Sequence, residues 1–166
     1  PGAGVYRSKD DGENWELLDS GLPTGYTGKT IIEISDSHPD IIYADVANDF
    51  NGIGIYRSTN GGDSWELRST EDIALFQGWF AHFVAVHPEN PDFLIGGGVD
   101  LWKSTDGGLN WAKKSDWAQW RLGQAPAPGA PEGTSDEYSH ADHHDFAFHP
   151  DNPDIVYFAN DGGIFV

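Results

Sequence analysis

Three side chains able to hold a metal ion or a proton each stand five residues before a histidine that is followed by proline: Glu33 before His38, His82 before His87, and His144 before His149. The His-Pro pairs lie between short β-branched or aromatic runs, so the spacing predicts strand, tight turn, strand three times over. Glu33, His82 and His144 are then expected at one level of three neighbouring strands, away from the turns. Two imidazoles and a carboxylate on one centre would suit zinc or a similar divalent ion, with calcium, which prefers oxygen ligands, as the other candidate metal. Carboxylates offer a second chemistry: Glu33, Asp142 and Asp161 are candidates for a catalytic pair, one carboxyl donating a proton and the other acting as base or nucleophile. A third reading leaves these side chains bonded to water and neighbouring backbone. His140, Asp142 and Asp145 crowd the same stretch.

Aromatic residues supply a binding chemistry. Trp79, Trp117 and Trp120 fall on or beside segments that read as loops, and Arg121 follows the last of them. Exposed tryptophans stack on sugar rings and anchor protein interfaces, although a tryptophan beneath a long loop can equally cover core. Trp117 and Trp120 lie in a segment that continues into Ala125-Pro126-Ala127-Pro128, where proline stiffens the chain.

The elements that must position these residues are written in a repeated phrase. It reads SKDDGENW from Ser8 to Trp15, STNGGDSW from Ser58 to Trp65 and STDGGLNW from Ser104 to Trp111, each after a short apolar run. Successive copies start 50 and then 46 residues apart, the length of one four-stranded propeller blade. Within each copy the third position, Asp10, Asn60 or Asp106, can accept hydrogen bonds from backbone N–H groups of its own turn. Gly12, Gly62 and Gly108 supply dihedrals closed to other residues, and Trp15, Trp65 and Trp111 are expected as apolar plugs. Ser8, Ser58 and Ser104 open the phrase. All twelve residues are expected to be architectural, and the calcium-loop spacing Asp-x-Asp-x-Asp-Gly is absent from every copy.

The phrase resembles the Asp box, or bacterial neuraminidase repeat, of sialidases, xyloglucan-degrading hydrolases, sortilin-type receptors and secreted bacterial repeat proteins. The resemblance covers nearly the whole chain and implies an all-β propeller of four-stranded blades. Residues 1–20 are expected to end one blade, 29–69 and 79–115 to form two more, 116–139 to be an inserted loop, and 140–166 to be a partial blade. About three repeats in permuted phase leave the ring incomplete, so the expectation is a piece of a longer chain or a subunit completed by another copy; the lack of methionine fits either. The turn phrases would share one face of the propeller. The variable loops, and the mouth of a central channel holding Glu33, His82 and His144, would share the other, where any site is expected.

Sialidases imply three arginines and a tyrosine nucleophile. This chain has only Arg7, Arg57, Arg68 and Arg121, and the first two belong to the repeat, so sialidase activity is not expected. Xyloglucan hydrolases imply a catalytic Asp in an Asp-x-Gly-Gly phrase. Asn160-Asp161-Gly162-Gly163 is similar but lacks the intervening residue.

A formal charge of -18, from 27 acids against 9 Lys plus Arg, repels nucleic acid and anionic lipid. No cysteine is present, so neither a disulfide frame nor a thiol site exists. No apolar run reaches membrane length, and membrane insertion is not expected. The expectation is a secreted or cell-surface scaffold for a glycan or protein ligand, partnered by further blades. A glycoside hydrolase and a structural assembly unit are the alternatives.

Overall fold

The computed structural model describes residues 4–117 and 138–166, through which thirteen β-strands run. The strands form four antiparallel meanders along the chain. β1 (Val5–Arg7) pairs with β2 (Glu16–Leu18). A four-stranded sheet follows, of β3 (Thr30–Ile34), β4 (Ile42–Ala47), β5 (Gly52–Ser58) and β6 (Glu66–Ser69). The next has β7 (Phe83–His87), β8 (Asn90–Gly97), β9 (Leu101–Ser104) and β10 (Ala112–Lys113). The last has β11 (His143–His149), β12 (Asn152–Asn160) and β13 (Gly163–Phe165). The first strands of the three larger sheets lie side by side, β3 beside β7 and β7 beside β11.

Apolar burial takes place between sheets. Val5 and Leu18 pack with Ala44, Val46, Tyr56 and Trp65 at the first junction. Tyr43 and Ile55 meet Val84, Val86, Leu94 and Trp111 at the second. Phe83 and Ala85 meet Val156 and Phe158 at the third. Strand β7, with a sheet on either side, is buried along its whole length, which is why Phe83-Val84-Ala85-Val86 shows no polar alternation.

The repeated turn closes in the same way three times. Oγ of Ser8, Ser58 or Ser104 donates to the side chain two residues on and accepts from the N–H of Gly12, Gly62 or Gly108, at 2.8–3.0 Å. The third-position side chain accepts from the N–H four residues on. Asp10 and Asp106 also take the amide of Asn14 and Asn110, and the Asn110 bond is the largest reason that Asp106 falls to about 2. In the second turn the roles are exchanged: Asn60 donates and Ser64 accepts. The change from acid to amide is therefore matched by its partner. Each tryptophan Nε1 donates to the carbonyl of the turn glycine.

Trp65 is 7% exposed and Trp111 half-buried, each against the preceding sheet, whereas Trp15 is 62% exposed. The expectation of three plugs is corrected for Trp15: the described residues place no sheet before β1 for it to pack on.

Candidate functional site

The strand registers do not align Glu33, His82 and His144. Ile32, Val84 and Phe146 stand opposite Ala44, Gly96 and Phe158, which in turn oppose Tyr56, Trp102 and Phe165 at matching points of the three sheets. Glu33 is one residue from that level towards the turn, and His82 is two residues the other way. The separation along the strand direction is about 10 Å at the usual rise per residue. The turns are the reason. His38 sits inside a long turn between Ile34 and Ile42, whereas His87 and His149 are strand residues paired with Asn90 and Asn152. His144 is moreover the extra residue of a bulge, since His143 pairs with Asn160 and Asp145 with Ala159. A bulge re-aims its side chain, and the inward place falls to His143.

The shared metal centre expected of Glu33, His82 and His144 is thereby corrected. Among the described residues no three His, Asp or Glu side chains are arranged to hold an ion. His82, its side chain wholly buried, donates from Nδ1 to Oδ2 of the equally buried Asp45 on β4 at 2.9 Å, and its Nε2 has no partner. His143 is also fully buried. Its Nδ1 donates to the Gly98 carbonyl at 2.8 Å, Ser139 donates to its Nε2 at 2.8 Å, and Asn160 donates to Ser139. Burial holds the His143 pKa down, which keeps the ring neutral for this pattern. Both rings clasp the second strand, or its end, of the preceding sheet, a role that sequence spacing did not reveal.

Glu33 faces a cleft of about 410 Å³ among the His-Pro turns, lined also by Asp36, Glu89, Phe148, His149 and Pro150. It therefore belongs to the turn side and not to the loop side expected. Burial first, then Asp36 and Asp145, raises its pKa to about 7. The stability contribution of its protonated form is complete below about pH 4.5 and is lost as the pH climbs through about 7, because the folded chain holds the proton longer than the unfolded one. Glu33→Gln, neutral throughout, should lose about 1–2 kcal/mol less stability than the wild type between about pH 4.5 and 8, allowing for solvent screening. Urea unfolding at the two pH values checks this; parallel losses would contradict it.

On the loop side the structure assembles a different group. Trp79 and Phe80 are 54% and 39% exposed, with ring centroids 5.0 Å apart and planes at 29°. The His144 and Phe80 rings make a T-shaped contact with centroids 5.0 Å apart, and His144 Nε2 lies 2.8 Å from Oδ1 of Asp161. Asp142, at a positive φ of 65°, accepts from the Gln77 amide. Its pKa is raised by burial first and by Asp161 second, with His144, His140 and His143 opposing. Aromatic platform, imidazole and two interacting carboxylates thus form one surface.

The Trp79 segment is held by neighbouring backbone. Phe76 and Trp79 donate from their N–H groups to the carbonyls of Phe50 and Asp49, and Lys29 donates to the carbonyls of Gly78 and, through Nζ, Phe80. Gly78 is required here because a Cβ would lie 1.9 Å from the Asn48 carbonyl oxygen. Trp117 is half-buried, and its N–H donates to Asp100 at 2.8 Å. Trp120 and Arg121 lie outside the described residues. Phe80, Gln77, Asp45 and His143 were not singled out from the sequence; of the platform only Trp79 was.

No protein-family model matches the chain, and no curated protein matches it. Solved structures do. An ancestral GH74 enzyme aligns over 97% of this chain with a TM-score of 0.58 at 18% identity. The GH74 enzyme of Niastella koreensis aligns over 95% with a TM-score of 0.59 at 20% identity. The fold is a β-propeller. YCF48 from Cyanidioschyzon merolae covers 86% of the chain at 18% identity with a TM-score of 0.46, and 37% of its own length is matched. The chain spans 19% and 23% of the two GH74 structures. Among the described residues no helix is long and apolar enough to cross a membrane.

Proposed function

We propose that the chain is a segment of a secreted or surface Asp-box propeller that recognises a glycan on its loop face. The observation that carries the reading is the exposed, stacked Trp79–Phe80 pair, which meets His144 in a T-shaped contact and, through it, Asp161. Flat aromatic faces cover the C–H faces of sugar rings, while an adjacent carboxylate and imidazole accept and donate to hydroxyls. The remaining blades would complete the ring and secure the loop face. The Ser/Asp/Gly/Trp turns support the Asp-box assignment. An acidic, cysteine-free composition is compatible with export, and recovery of the native protein only from cell lysate would count against it.

Trp79→Ala should weaken binding of a neutral oligosaccharide by up to about tenfold, at about 0.5–1.5 kcal/mol per lost stacking contact, and leave the unfolding midpoint almost unchanged because the ring is exposed. Calorimetric titration with cellotetraose and xyloglucan oligomers, beside a melt, measures both. Unchanged affinity would remove this site from the reading.

A second reading is a glycoside hydrolase, favoured by the raised, Asp161-coupled carboxyl of Asp142 beside the platform. Asp142 would be the acid and Asp161 the base or nucleophile. The likeness to two GH74 enzymes supports the scaffold on which such chemistry could sit. Turnover should then fall as the pH rises through the Asp142 pKa, and Asp142→Asn should abolish it. Absence of reducing-sugar release from neutral glycans favours the binding module.

A further inference from the structure

We infer that the Trp79 surface selects glycans carrying a free protonated amine and rejects those carrying uronate or sialate; this rests on the glycan-recognition reading above. Sugar stacking by itself does not distinguish a neutral from a charged ring. The distinction comes from what surrounds the platform. Asp161 presents a carboxylate whose side chain is 50% exposed, with one oxygen on His144, at the edge of Phe80. Asp142 stands close enough to interact with it.

Among the described residues no lysine or arginine forms an ion pair with either carboxylate. The Lys29 ammonium donates to the Phe80 carbonyl and to neither carboxylate. A sugar carboxylate on the platform would therefore meet two acids that no lysine or arginine among the described residues pairs with, within a field set by a chain charge of -18. An ammonium substituent on a ring stacked over Trp79 and Phe80 gains the opposite: attraction to the aromatic faces and charge-assisted hydrogen bonds to Asp161. The chemical class is a hexosamine polymer with unacetylated amines.

The test compares four tetramers at about pH 6, where the amine is protonated: glucosamine, its N-acetylated counterpart, cellotetraose and galacturonate. The glucosamine tetramer should bind at least about tenfold tighter than the two neutral ones and lose about tenfold between 0.05 and 0.5 M salt, with no binding of galacturonate. Asp161→Asn should bring glucosamine down to the neutral level, whereas Trp79→Ala should weaken all binders. Neutral tetramers binding as tightly as glucosamine overturn the inference and leave the recognition reading standing. Glucosamine binding that neither variant alters places the attraction elsewhere on the acidic surface and overturns the inference too. Failure of every tetramer to bind overturns both.

Discussion

Trp65→Ala is expected to cost about 3–5 kcal/mol of folding stability, the range for truncating a buried aromatic residue. The ring is 7% exposed between β1–β2 and the sheet of β3 to β6, against Val5, Leu18, Ala44, Val46 and Tyr56, and its Nε1–H is bonded to the Gly62 carbonyl at 3.0 Å. Truncation removes the wall between two sheets and leaves that carbonyl without its donor. Trp15→Ala should shift stability by less than about 1 kcal/mol, since the same ring of the first turn is 62% exposed. Urea unfolding followed by fluorescence of the remaining tryptophans measures the pair. Equal effects of the two substitutions would mean that the junctions between sheets are not where the tryptophans act.

Asp45→Ala is the second large effect, about 2–4 kcal/mol, through a different cause. Asp45 and His82 are both sealed from solvent, and His82 Nε2 already lacks a partner, so removing the carboxylate leaves both imidazole nitrogens buried and unpaired. The double replacement Asp45→Leu with His82→Leu should be less damaging than Asp45→Ala alone, because apolar groups of similar volume carry no desolvation debt. A double replacement that costs the sum of the single ones would show that the two residues act independently.

Local chemistry explains what was legible before the fold was known. A β-turn is closed by its own residues, so Ser58, Asn60 and Gly62 reveal the turn wherever the chain carries them, and even the Asn60 to Ser64 exchange is a contact within five residues. Repeats of 50 and 46 residues then imply like sheets stacked side by side, and the four meanders follow that order. Trp79 was readable for a different reason: a large aromatic beside a segment that reads as a loop is a candidate for exposure.

The shared level of Glu33, His82 and His144 was not legible, because counting from the His-Pro pairs assumes equal turns. The turn around His38 is longer, and a bulge turns His144 outward, so three added residues move Glu33 to the turn cleft and one gives the inward position to His143. Period-2 alternation makes such shifts decisive, since a single residue exchanges the faces of a strand. Burial of Asp45 against His82, and the T-shaped contact of Phe80 with His144, join residues 37 and 64 positions apart. Nothing local specifies such pairs. Composition and turn chemistry thus determined the sheets and the acidity of the surface, and the packing of one sheet on the next decided which histidines became inter-sheet clasps and which acids stand beside the aromatic platform.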